Sequence, residues 1–295
     1  YKLSDKVMLI TPGRFLFNAG ATPSSWNKQM LADPHIKVMY YETVSEKVFP
    51  GTDIKGGVAI TYRDASKNFR AIETFTVFPE LNEIIQKVAP KLKESGALNE
   101  IIFTQNKFNL NVLNSDFPDI HRADKRLESN IFQLSAFTEE PQGKNDLKIL
   151  GLIKNKRVYR YVNKKYIDLN SENLNKYKVI LPKSNGSGNL GEVMSTPLIG
   201  TPLIGYTRTF IGIGAFDTQA EADAALKYVK SKFCRVMLGV LKVTQDNNPD
   251  KWRMVPLQDF TSQSDIDWSR SVADIDKQLY KKYGLDEKEI NFIET

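Results

Sequence analysis

Apolar positions along the chain change period several times, and each change marks an element. Val7 to Ile10 is a continuous apolar run of strand length, with Leu3 already at its edge, and Thr11-Pro12-Gly13 closes it in a turn. Ser24 or Ser25 can cap a helix running to about Ala32, where Pro34 stops it. Ile36 to Tyr41 and Gly57 to Tyr62 read as strands joined through the tight loop Val48-Phe49-Pro50-Gly51. Together these strands look like the remnant of a sheet whose other strands lie outside this sequence. Pro79 suits a first helical position, and Leu81, Ile84, Ile85, Val88 and Leu92 recur at helical spacing until Gly96 ends the helix.

The stretch from Asn99 to Pro118 has no clear period. Leu147 to Ile153 and Arg157 to Val162 read as a hairpin turning at Lys154-Asn155-Lys156, and Tyr177 to Leu181 as a further strand. Thr-Pro-Leu-Ile-Gly occurs twice in succession within Ser195 to Gly205, a local duplication expected in a surface loop rather than a repeat fold. Thr218 with Glu221 forms a capping box for a helix carried to Leu238 by Ala222, Ala225, Leu226, Val229 and Phe233. Trp252 to Pro256 reads as a short strand, Asp267 to Tyr283 as mostly helix ended by Gly284, and Asp286 as the cap of a last helix. The expected class is therefore α/β in a mixed α+β sense, with a helical carboxyl end.

Composition narrows the function classes. The chain has 295 residues, 41% apolar and 26% charged, a globular balance that excludes a disordered tail. No apolar run reaches membrane-helix length and no signal peptide opens the sequence. The single cysteine, Cys234, excludes an intrachain disulfide and a cysteine-rich zinc site, so no metal is expected and a cytoplasmic location fits. A first residue of Tyr1 rather than Met suggests a piece of a longer polypeptide.

Charge is unevenly placed. Between Lys144 and Lys183 eleven basic residues face three acidic ones, a net +8 against +6 for the whole chain. Such a concentration attracts a polyanion. In the hairpin, Arg157, Tyr159 and Tyr161 alternate with Val158, Arg160 and Val162, so the two sets take opposite faces of one strand. A two-stranded ribbon fits a DNA major groove, and an arginine fork matches the edge of guanine. Lys154, Lys156, Arg157, Arg160, Lys164 and Lys183 are the candidate phosphate or base contacts. Asn185, Ser187 and Gly188 are candidate backbone contacts in the adjoining glycine loop.

Other motifs carry less. Gly186-Ser-Gly188-Asn-Leu-Gly191 has the spacing of a dinucleotide fingerprint, yet Pro197 and Pro202 leave no room for the required helix. His35 and His121 are the only histidines, so a histidine-based hydrolase would have to assemble around one of them. Cys234 sits on an apolar helix face as a core thiol.

Residues 1–64 resemble the closing strands of the Eco57I-type adenine-specific DNA methyltransferases of restriction systems. The likeness lies in Met8-Leu-Ile-Thr-Pro-Gly-Arg-Phe15, Val48-Phe49-Pro50 and Ile54-Lys-Gly-Gly-Val-Ala59. Residues 65–295 resemble that family's target-recognition domain, through Ile149-Leu-Gly-Leu152, Lys156-Arg-Val-Tyr-Arg-Tyr161, Tyr228 to Arg235, Trp252-Arg-Met-Val-Pro256, Asp265-Ile-Asp-Trp-Ser269 and the helices from Tyr280 to Phe292. The resemblance implies that Phe49 stacks on a flipped adenine, replacing part of the stacking that an extruded base loses. It implies a DNA-binding transferase that methylates adenine N6 from S-adenosylmethionine, with endonuclease activity left open. The family's glycine-rich cofactor loop and Asn-Pro-Pro-Tyr motif do not occur in this chain. The implied partners are therefore double-stranded DNA and an N-terminal methyltransferase half. The cofactor belongs to the full-length parent, none being expected here, and the fragment alone is not expected to be active. The alternative is a module binding nucleic acid or a protein partner with no methyltransferase parent.

Overall fold

Near the amino end, β1 (Lys6–Pro12), α1 (Ser24–Ala32), β2 (Ile36–Glu42) and β3 (Val58–Asp64) succeed one another in the computed structural model, which describes residues 4–17, 22–171 and 173–295. Leu3, expected in the first strand, and Glu172, counted in the basic segment, lie outside the described residues. The three strands pair antiparallel in the order β1-β3-β2. Directly opposed residues share a face, so Ile36, Ala59 and Tyr41 line one side. That side packs on Phe15, Leu16, Met30, Leu31 and Ile72. The other side carries Met8, Ile10, Tyr40 and Ile60, and there Met8 is 61% and Ile10 55% exposed. Neither Ser24 nor Ser25 caps α1. Both lie inside it, and the Pro23 carbonyl accepts the first helical bond, from the Asn27 amide.

α2 (Pro79–Ser95) begins at Pro79 and buries Leu81, Ile84, Ile85 and Val88, as the spacing requires. The chain divides within this helix into two compact units, Tyr1–Pro90 with Leu285–Phe292 and Lys91–Gly284 with Ile293–Thr295. The boundary expected at residue 64 falls inside the first unit.

The second unit holds β4 (Ile102–Phe103), α3 (Leu110–Asp116), β5 (Asp146–Ile153), β6 (Lys156–Asn163), β7 (Tyr177–Pro182), β8 (Leu198–Gly200), β9 (Ile204–Tyr206) and β10 (Phe210–Phe216). One sheet has the antiparallel order β4-β10-β7-β8. The other, β6-β5-β9, is mixed because β9 runs parallel to β5. Lys154 and Asn155 both have positive φ, the backbone that lets a two-residue hairpin follow the strand twist. The duplicated pentapeptide is not a surface loop. Its first copy supplies β8 and its second enters β9, in the other sheet, where Gly205 and Tyr206 are buried. The glycine ending each copy is needed for close approach: a Cβ would come within 2.7 Å of Ile180 at Gly200 and within 2.7 Å of Ile149 at Gly205.

The helix expected from Thr218 to Leu238 is two helices, α4 (Gln219–Lys230) and α5 (Lys232–Gly239). Ser231 breaks it by turning to an extended backbone and accepting the Cys234 amide, while Asp276 accepts the amides of Lys232 and Phe233. Trp252 lies in a 3-10 turn (Pro249–Met254) rather than a strand, because Pro249 starts a helical turn and the indole is fully buried. α6 (Val272–Tyr283) starts later than expected, at the Ser271 cap, and ends at Gly284 with φ of 62°. α7 (Glu287–Glu294) is capped by Asp286, whose Oδ1 accepts the amides of Lys288 and Glu289. The class is α/β with antiparallel and mixed sheets. Among the described residues no helix is long and apolar enough to cross a membrane.

Candidate nucleic-acid interface

The candidate cations lie on β6 and the segments at its two ends, apart from Lys183 just after β7, and strand alternation separates the two arginines. Arg157 opposes Leu152 on one face and Arg160 opposes Ile149 on the other. Both are committed within the fold. Arg157 donates to the carbonyls of Thr196 (2.6 Å) and Ser195 (3.2 Å) and lies over the Phe210 ring. Arg160 pairs with Glu139 at 2.5 Å and donates to the Tyr159 carbonyl. A guanidinium already holding two acceptors on its own chain has fewer donors left for the phosphate or base contact expected of each arginine. Tyr159 is half-buried with Lys148 Nζ 4.2 Å from its ring centre, and burial pushes its hydroxyl pKa up.

The lysines divide in the same way. Lys165 pairs with Asp116 at 2.7 Å, Lys176 pairs with Asp217, and Lys178 is fully buried. Lys178 Nζ donates to the carbonyls of Asn173, Leu174, Lys176 and Thr201 at 2.9–3.2 Å. Burial pushes its pKa down to about 7, a pull that the four carbonyl dipoles oppose. Lys144, Lys154, Lys156 and Lys164 are exposed, Lys183 is partly so, and no carboxylate of the described residues pairs with any of the five. The charge left for a partner thus sits at the ends of the hairpin, Lys154 and Lys156 at its turn and Lys144 and Lys164 at the other end.

Beside that second end lies a groove of about 620 Å³, lined by Phe108, Asn109, Asn111, Lys125, Lys164 and Asn170 among others. The Phe108–Ile167 bridge and the Phe108 amide bonded to the Lys125 carbonyl fix its walls. Lys125 is exposed and, among the described residues, has no acidic partner. Sequence reasoning missed Lys125 and the three asparagines because they fall in segments without periodicity. Only tertiary pairing brings them to Lys164.

The glycine loop differs most from expectation. Asn185 is buried, its Oδ1 accepting the Ser195 amide at 2.6 Å, so it holds its own loop rather than an external backbone. The Ser187 and Gly188 amides, expected to meet phosphates, donate to the Glu192 carboxylate at 2.8 Å and 3.1 Å. Lys242, itself buried, also contacts Glu192. Burial opposes charge on Glu192, but Lys242 and the two amides hold its carboxyl below the usual range. The glycine spacing is thereby explained: a Cβ on Gly186 would lie 2.1 Å from Glu192, and one on Gly188 2.4 Å from the Thr244 amide. Glu192, one residue beyond the motif, was the signal available in the sequence.

Phe49 is 40% exposed, on the loop between β2 and β3. Buried Ser45 pins that loop: its hydroxyl donates to the Thr52 carbonyl (2.9 Å) and accepts the Ile54 amide (2.8 Å). His35 Nδ1 lies 2.7 Å from the Lys67 carbonyl and His121 is exposed at positive φ, so neither sits in a nucleophile relay. Cys234 is fully buried, which pushes its thiol pKa up, as a core thiol requires. Among the described residues one carboxylate cluster has metal-ligand spacing, Glu83, Asp286 and Glu289. The Lys87 ammonium already sits 2.5 Å from Glu289 and 3.5 Å from Asp286.

Compared with known proteins, the chain matches no family model, and no curated protein is significantly similar to it.

Proposed function

We propose that this protein is the double-stranded-DNA-recognition part of an adenine-N6 methyltransferase of a restriction system. The observation that carries this is the separation of its cations. Both arginines of the basic segment and three of its nine lysines, Lys165, Lys176 and Lys178, are paired or buried within the fold. Among the described residues Lys144, Lys154, Lys156 and Lys164 remain exposed without acidic partners, with Lys125 lining the same groove as Lys164. β6 spans Lys156–Asn163, about 25 Å of strand at roughly 3.3 Å per residue, so its two basic ends reach phosphates well apart along one duplex. These are point charges. They neutralise backbone rather than read base edges, which lysines do less selectively than an arginine fork.

Two features of the first unit support the methyltransferase parent. Phe49 presents an exposed ring on a pinned loop, the arrangement needed to stack on an extruded base. The edge strand β1 and the Met8–Ile10–Tyr40–Ile60 face leave apolar surface to be covered by further strands of a catalytic half, where the S-adenosylmethionine chemistry would reside. A cytoplasmic location accords with such a role.

The test is duplex binding as a function of salt. Lys154→Ala with Lys156→Ala, and separately Lys125→Ala with Lys164→Ala, should each weaken binding and reduce the slope of log affinity against log salt by about two. An unchanged slope in both pairs would sink the assignment. Competition with single-stranded RNA distinguishes the alternative, a module without a methyltransferase parent, which predicts preference for the single strand.

A further inference from the structure

The Glu192 carboxylate occupies a receptor whose donors, two amides, a hydroxyl and an ammonium, satisfy both of its oxygens. Its Oε2 accepts the Ser187 amide at 2.8 Å and the Ser187 hydroxyl at 3.4 Å, and the Gly188 amide lies 3.1 Å from Oε1 and 3.2 Å from Oε2. Lys242 Nζ contacts Oε1 and donates to the carbonyls of Asn185 (2.9 Å) and Thr244 (3.1 Å). The Lys242 side chain is 2% exposed, whereas that of Glu192 is 16% exposed. Two successive amides between glycines at positive φ, a hydroxyl and a buried ammonium converge as they would around an oxyanion.

The surroundings add to this. Arg235 holds the Gly191 carbonyl at 2.7 Å while its buried Nε has no partner, and Arg157 is held by the Ser195 and Thr196 carbonyls of the same segment. The loop is thus flanked by cations that hold its carbonyls, and Glu192 is the carboxylate that balances Lys242. Were Glu192 to swing out, Lys242 would stay buried without a counter-charge, which is costly. Another anion restores the balance, so the exchange inferred at this site is anion for anion.

We infer that the loop Gly186–Gly191 with Lys242 is a phosphate-binding site closed in cis by Glu192, and that a phosphate group takes the place of the carboxylate. The phosphate is either free inorganic phosphate or one of a nucleic-acid backbone. The second source rests on the function proposed above, and it makes Glu192 a competitor of the duplex at this loop.

Three variants of the full chain test this. Glu192→Ala opens the receptor, and its melting temperature should rise with millimolar inorganic phosphate at matched ionic strength, while wild type and the Glu192→Ala/Lys242→Met double variant stay flat. Glu192→Gln keeps the side-chain volume and the fold but removes the competing charge. It should bind duplex DNA several-fold tighter than wild type, with a salt slope steeper by about one. Melting temperatures of Glu192→Ala and Glu192→Gln that ignore phosphate overturn the site, even if wild type binds duplex. Phosphate-dependent stabilisation of Glu192→Ala without duplex binding by any variant supports the anion site and removes the nucleic-acid reading instead.

Discussion

The two compact units use their apolar residues differently. In the second, Trp252, Tyr228, Phe233 and Tyr206 are all fully buried, and the stacked pair Phe233–Tyr283 lies at 4.8 Å. In the first, Met8, Leu9, Ile10, Met39, Tyr40 and Phe49 are exposed on or beside a three-stranded sheet. A two-faced sheet needs cover on both faces to bury an apolar row on each, and here one face alone has it. The difference teaches where a partner surface is available: the second unit buries its large aromatics, while the sheet of the first keeps an apolar face for something else to bury.

Substitutions can break that comparison. The largest effect is expected for Phe233→Ala, a loss of about 3–5 kcal/mol for a fully buried ring, read from urea unfolding followed through Trp252 and Trp268. Lys178→Met should cost about 2–4 kcal/mol, because four carbonyls lose their donor. Its pH signature is specific. The folded pKa near 7 lies below the ordinary 10.5, so between these values the unfolded chain binds the extra proton. Wild-type stability should therefore rise with pH in that window, by at most about 1.4 kcal/mol per pH unit, a slope the Met variant lacks. A wild type without that slope would show that the carbonyls outweigh burial.

Smaller effects sharpen the picture of the open unit. Ser45→Ala should cost about 1 kcal/mol, since two bonds that pin the Phe49 loop are lost, and hydrogen exchange at Ile54 and Thr52 should accelerate. Ile10→Ser should change stability by less than about 0.5 kcal/mol while lowering the binding of a hydrophobic dye. A cost there approaching that of Phe233→Ala would show that the face is covered after all, and the contrast between the units would fall.

Much of the fold was legible because it rests on local rules. The α2 apolar spacing, the Thr218–Glu221 capping box, the Gly284 stop and the β5–β6 hairpin depend on residues within a few positions of one another. The interruption at Ser231 was not legible, because Asp276, 45 positions on, helps to satisfy the new helix start. The candidate interface was legible as a charge excess but not as a geometry. Nothing local reveals that Arg157 is held by the Ser195 and Thr196 carbonyls, or that Lys125 comes beside Lys164.

What the sequence determined by itself was the inventory: which segments coil, which extend, and how much positive charge lies between residues 144 and 183. Periodicity and capping act over a turn or two of chain, so they survive without knowledge of neighbours. Only the tertiary structure decided which cations remain available, that Glu192 fills the glycine loop, and that one sheet face stays open. Ion pairs, buried donors and covered faces depend on residues brought together from far along the chain, and those meetings are fixed by packing rather than by local pattern.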